Sequence, residues 1–239
     1  MAATRRADWL IPSGLIALAF IPLVAGMVRM SELAKLLADG GPITADNARF
    51  FGAPVPVLLH IVSVTLYSLL GAFQFAPGFR RRRPDWHRAA GRILVIAGLV
   101  AALSGLWMAM FYAIVPADGA LLHGLRLFFG TAMAVSLLLG YLAIRRRDVA
   151  GHQAWMRRAY AIGMGAGTQA LTQLPLLLLF GAPDELTLAL MMGAAWVGNM
   201  AVAECLIRRH RVAAMRAVQT RALRTTPESG VASARSMLH

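Results

Sequence analysis

Six runs of about twenty apolar residues, separated by loops that are alternately crowded with arginine and nearly free of it, leave this chain very few ways to fold. A helix of that length crosses the hydrocarbon of a bilayer. In hydrocarbon only a helix or a closed barrel satisfies every backbone amide. The runs fall at about 9–28, 55–75, 91–115, 122–144, 160–180 and 186–207. Composition agrees, since 58% of the 239 residues are hydrophobic and only 15% are charged, far from the balance of a soluble domain. The expected fold class is an all-α membrane protein with six transmembrane helices, helices 2–5 forming an antiparallel four-helix core. This domain covers 1–207, and a basic cytoplasmic tail, partly disordered, follows at 208–239.

Charge sets the direction of travel. Arg80, Arg81, Arg82 and Arg83 open the loop after the second run, Arg145, Arg146 and Arg147 the loop after the fourth, and Arg208, Arg209 and Arg211 the tail. Arginine-rich short loops stay on the cytoplasmic face, because carrying them across the membrane against the potential is unfavourable. The arginine-poor connections, at about 30–54, 116–119 and 181–183, then face outward, the first broken by Gly40, Gly41 and Pro42. The expected location is a bacterial inner membrane with both termini in the cytoplasm. The first run exceeds the roughly 7 to 15 apolar residues of a signal peptide and is read as a helix, though cleavage would leave the downstream orientation unchanged. The net charge of +13 is explained by topology and by anionic lipid headgroups rather than by nucleic acid, since the arginines sit at segment ends. From Arg208 to about Leu223 the tail reads as a basic helix with Val212, Met215 and Val218 toward lipid; beyond Thr225 it reads as disordered. Cys205 is alone, so no intrachain disulfide forms.

Four of the six histidines fall at segment ends. His60 and His123 lie near the outer ends of helices 2 and 4, and His87 and His152 near the inner ends of helices 3 and 5. In an up-down bundle, alternate helices are diagonal neighbours across the core. Two pairs, one per side, are thus placed to grip a planar macrocycle from both faces. Paired neutral imidazoles leave haem iron no open position, which suits electron transfer. Small residues continue the histidine stripes at helical spacing: Gly71 below His60, Gly91, Gly98 and Gly105 after His87, Gly130 after His123, and Gly163 and Ala166 after His152. Arg126, one turn from His123, is placed to meet a haem propionate. Small residues also let haem-free membrane helices pack closely, and single interfacial histidines often cap helices or bind headgroups. Gln74, Gln169, Gln173 and Asn199 are read as interhelical hydrogen-bonding residues, and Glu204 as a partner for Arg208.

Several local motifs carry a resemblance. Leu59-His60, the run Gly71-Ala72-Phe73-Gln74-Phe75, Trp86-His87-Arg88 with Gly91-Arg92, and Gly151-His152-Gln153-Ala154-Trp155-Met156-Arg157-Arg158-Ala159-Tyr160 resemble the bacterial membrane-protein family of domain of unknown function 2306 over about 54–173. That family implies no activity. More distantly, the six-helix plan with histidines on helices 2 to 5 is similar to the cytochrome b561 architecture. This similarity implies that His60 and His123 hold an outer haem b and His87 and His152 an inner one. His87 and His152 precede the strongly apolar stretches, so at ~1.5 Å per residue the two histidine layers are expected ~25 to 35 Å apart, wide for fast transfer.

The function these features favour is a b-type haem protein carrying electrons across or within the membrane, a possible route to transmembrane oxidoreductase activity. The cofactor would be two haems b, bound by His60, His123, His87 and His152 with Arg126. A small anionic reductant or a quinol would dock on Arg80, Arg81, Arg82, Arg83, Arg88, Arg92, Arg157 and Arg158. The alternative is a haem-free multi-pass transporter or scaffold with interfacial histidines; a third option keeps a single haem or metal at His60 and His123. The other partners are the bilayer and its anionic headgroups, and a homodimer is left open.

Overall fold

The computed structural model describes residues 2–40, 43–44, 47–113 and 118–225; the helices among them, in chain order, are α1 (Ala2–Asp39), α2 (Ala48–Gly52), α3 (Pro54–Gln74), α4 (Pro77–Arg82), α5 (Pro84–Phe111), α6 (Gly119–Arg145), α7 (Val149–Gly163), α8 (Gly165–Phe180) and α9 (Glu185–Thr225). No strand occurs among the described residues. Among the described residues six segments are long and apolar enough to cross a membrane: Trp9–Leu36, Pro54–Gln74, Pro84–Phe111, Gly119–Arg145, Val149–Phe180 and Glu185–Thr220. This is the all-helical, six-span architecture that the hydropathy requires. The chain divides into two compact units, Met1–Ala201 and Val202–His239.

The first connection is more helical than its composition suggests. Polar residues after Val28 stay on α1, where Arg29 pairs with Glu32 at 2.9 Å and the Ser31 hydroxyl donates to the Val28 carbonyl. Helical ion pairs and back-bonding hydroxyls let a polar stretch continue an established helix. Gly40, at φ +64°, ends it in the left-handed conformation that glycine adopts freely. Gly41, Pro42 and Asp46 lie outside the described residues, and α2 then occupies part of what reads as a loop.

The third and fifth spans begin earlier than the apolar runs do. α5 starts at Pro84, whose fixed φ suits a first helical position, instead of near Gly91. Asp85 is inside the first turn and pairs with Arg88 at 2.9 Å, so it does not act as the N-cap. α7 starts at Val149 because the Asp148 carboxylate accepts from the Gly151 amide at 2.8 Å. His152 therefore lies in the first turn and not before the helix. The span breaks at Met164, between Gly163 and Gly165, and resumes as α8. α6 begins at Gly119 (φ +59°) after Asp118, and residues 114–117 of the preceding turn lie outside the described ones. At the head of α9, Asp184 caps through Thr187 (2.8 Å to the amide, 3.0 Å to the hydroxyl), and these bonds hold its carboxyl below the usual range.

Within the first unit, α3 packs on α5, α5 on α6 and α6 on α7, while α7 closes back on α3; α1 lies along α3 and α8. This antiparallel ring of spans 2 to 5 encloses Tyr67, Leu94, Phe129, Met133, Leu137 and Tyr160. Outward-facing Ile96, Phe128, Leu178 and Phe180 are exposed, as a lipid-facing surface demands. Trp9, Phe73, Phe79 and Trp86 cluster at the arginine-rich end, with Phe79 and Trp86 ring centroids 4.9 Å apart. Such aromatics favour the headgroup level. The second unit, as described, is the basic end of α9, with Arg208, Arg209 and Arg216 beside exposed Val212, Met215 and Val218. The tail after Thr225 lies outside the described residues.

Candidate functional site

His60 sits in the second turn of α3, where the chain has just entered the apolar span. Its Nδ1 is 2.9 Å from the Ala101 carbonyl on α5 and 3.2 Å from the Ser104 hydroxyl. A carbonyl only accepts, so Nδ1 carries the proton and Nε2 keeps its lone pair. Ser104 in turn donates to the Val100 carbonyl at 2.6 Å, which leaves its oxygen free to accept from His60. Gly105 makes room for the ring: a Cβ there would stand 3.2 Å from the His60 Cε1.

The imidazole borders a cavity of about 520 Å³ that opens at this end of the helices, and His123 on α6 borders the same cavity. Its walls are small or apolar, including Ala101, Gly105, Gly130, Gly163 and Met133. Its mouth is polar. Arg126 makes a two-pronged ion pair with Asp118, at 2.6 and 3.0 Å, which uses the Asp118 carboxylate and explains why that residue does not cap α6. Tyr112 donates to the Ala53 carbonyl at 2.7 Å, and burial pushes its phenol up, so it stays a neutral donor. Arg49 on α2 also lines the cavity, its guanidinium 4.8 Å from the Phe50 ring centre. On the far wall Gln169 donates to the Met192 carbonyl at 3.2 Å. Arg49, Asp118, Tyr112 and Trp196 are cavity residues that the histidine pattern does not point to. α2 is only five residues long, too short for periodicity to reveal, and the Asp118 to Arg126 pair spans a turn.

The other histidine pair lies at the opposite end of the antiparallel ring. His152 repeats the His60 arrangement, its Nδ1 donating to the Gly140 carbonyl at 2.8 Å. His87 differs: its Nδ1 is buried without a hydrogen-bond partner. Neither His87 nor His152 borders the cavity. His60 bonds to α5 at Ala101, and His87 is 14 residues (101 − 87) down that helix, ~21 Å away. His152 bonds to α6 at Gly140, 17 residues (140 − 123) from His123, ~26 Å away. Along α5 the separation is below the ~25 to 35 Å expected from the apolar runs, and along α6 it falls at the lower edge of that range.

The small-residue stripes divide between the two ends. The Tyr67 ring lies against Gly98 and Gly163, and the Tyr160 ring against Gly71, its hydroxyl donating to the Ser68 carbonyl at 2.8 Å. Met156 and Trp155 cover Gly140. Glycines toward the arginine-rich end therefore receive aromatic and methionine side chains, and the open space collects beside His60 and His123. The docking arginines divide as well: Arg81, Arg82, Arg83, Arg88 and Arg92 are exposed, Arg80 and Arg157 half-buried, and Arg158 lies over the Trp155 ring at 4.5 Å. Asn199 binds across helices, to the Ala161 carbonyl and the Thr168 hydroxyl. Gln74 and Gln173 each bury an amide nitrogen without a partner. Among the described residues no three His, Cys, Asp or Glu side chains converge on a metal position; the site offers two imidazoles.

No curated protein and no solved structure matches the chain. The family described as predicted membrane protein (DUF2306) matches residues 57–207, a stretch that holds all four of these histidines and begins after Arg49. With well over half of its length matched, the chain belongs to that family of integral membrane proteins, whose function is unknown.

Proposed function

We propose that the protein is a b-type haem protein of the bacterial inner membrane, with both termini cytoplasmic, and that its haem site is the cavity between His60 and His123. The observation that carries this reading is their joint position on one cavity with the His60 Nδ1 committed to the Ala101 carbonyl, so that Nε2 is the nitrogen left for a ligand. Metal-binding imidazoles are held in this way, by a hydrogen bond from the other ring nitrogen. The volume, about 520 Å³, falls in the ~300 to 1,000 Å³ range of ligand and cofactor pockets. Gly105, on its wall, leaves room for the His60 ring. A haem held by two imidazoles would supply a one-electron carrier with no open coordination position.

The rest is the work of the chain. Ala101 and Ser104 fix the His60 tautomer, apolar walls receive the macrocycle, and Arg49 and Arg126 stand at the mouth. The exposed arginines, with half-buried Arg80 and Arg157, lie at the other end, too far for direct transfer to this haem. They would serve an anionic reductant or a quinol as donor only with a second haem at His87 and His152. His87 and His152 are left out of the proposed site, because rings and methionine fill the glycine notches on their side. A second reading has support in the same cavity: apolar walls below a cationic mouth also suit a transported or bound amphipathic anion, without haem.

A reduced-minus-oxidised spectrum of the detergent-purified protein, with haem quantified per chain, separates the two. Bis-imidazole bands at one haem per chain, lost in His60→Ala and in His123→Ala but kept in His87→Ala, are expected. A colourless protein made with ample haem retires the haem reading in favour of the solute. Two haems per chain would extend the site to His87 and His152.

A further inference from the structure

Two guanidinium groups reach the mouth of the cavity, and they are not in the same electrostatic state. Arg126 is already neutralised by the two-pronged pair with Asp118, whose side chain is only 16% exposed. Among the described residues Arg49 has no carboxylate partner: its Nε is buried without a hydrogen-bond partner, and its cationic face rests on Phe50, which Arg29 also approaches at 4.9 Å. Ring faces attract cations, but they accept no N–H hydrogen bond of ordinary strength. A guanidinium nitrogen buried without a partner is an unfavourable state that an anion resolves. Among the described residues that line the mouth are two arginines and one aspartate.

We propose that Arg49 is the carboxylate anchor of this cavity, so that its ligand is an amphipathic anion with its apolar body among the helices and an acid group at Arg49. This deepens the reading above and rests on the cavity being a ligand site; for haem the acid group is a propionate. It reassigns that role from Arg126, which the sequence favours, to a residue outside the stretch shared with the family. Guanidinium meets carboxylate through two parallel hydrogen bonds, so charge and planarity both matter.

The test is a titration of haemin, and of its dimethyl ester, into the haem-depleted full-length protein in detergent, followed by absorbance. Arg49→Gln is expected to weaken haemin binding about tenfold, the loss of one charge-assisted interaction, and to leave the ester unaffected. Arg49→Lys should recover part of the loss. Arg29→Gln, which removes the other cation on Phe50, should bind haemin as the wild type does. Equal haemin affinity in Arg49→Gln and wild type overturns the proposal, as does an equal loss for haemin and ester. Should the wild type bind no haemin, the haem reading fails by itself. The melting temperature with dodecanoate then decides: a rise in wild type that Arg49→Gln abolishes upholds the anchor, and no rise, or one the variant retains, overturns it.

Discussion

His60 and His152 have the same local environment, an imidazole whose Nδ1 donates to a carbonyl of a neighbouring helix, yet only His60 has space in front of it. What separates them is the residue that fills each glycine notch. The sequence supplies glycines on all four helices, and periodicity aligns them with the histidines, but it does not say that Tyr160 enters the Gly71 notch and Tyr67 the Gly98 notch. Gly71→Ala would drive a Cβ into the Tyr160 ring, and overpacking of this kind costs about 1 to 3 kcal/mol. Gly124→Ala, with open space around it, should stay within about 0.5 kcal/mol. Thermal melting in detergent compares the two, and equal stabilities would contradict the packing. Gly105→Ala tests the other notch. Its Cβ, 3.2 Å from His60 Cε1, must displace the imidazole by a few tenths of an ångström. Under the haem proposal the expected result is a shifted reduced band or lowered haem content, with folding retained.

The elements show where hydropathy misplaces a helix end. Apolar runs mark the part of a helix that needs lipid, whereas the ends are set by caps, and caps are polar. α7 begins eleven residues (160 − 149) before its apolar run because Asp148 holds the Gly151 amide, and this early start is what brings His152 under Gly140. Asp148→Ala is expected to lower stability by about 1 kcal/mol and to raise amide exchange over the first turn of α7 more than elsewhere. Uniform exchange would show that the cap does not set this end. α5 follows the same logic with Pro84, and α1 reaches Asp39 through the Arg29 to Glu32 pair. Arg147, at φ 62°, takes the left-handed position after α6 that glycine usually fills, so a basic residue required by topology bears a small backbone cost.

At the scale of the whole molecule, charge and hydropathy together make a prediction that does not depend on the cavity. A reporter fused after Thr225 should be active only in its cytoplasmic form, and replacing Arg80, Arg81, Arg82 and Arg83 together with glutamine should reduce that bias. A C-terminal reporter active outside the cytoplasm would reverse the assignment of ends and place His60 and His123 on the inner side. The number of spans, the all-helical class and the paired antiparallel order were legible in the amino-acid sequence, because bilayer thickness and backbone hydrogen bonding act on local stretches, one at a time. Only the tertiary structure decided that the free volume lies at one end, that Asp118 occupies Arg126, and that Arg49 reaches the cavity from a five-residue helix. Those facts depend on which side chains from separate helices meet, and close packing, unlike hydropathy, leaves no mark on any single stretch of chain.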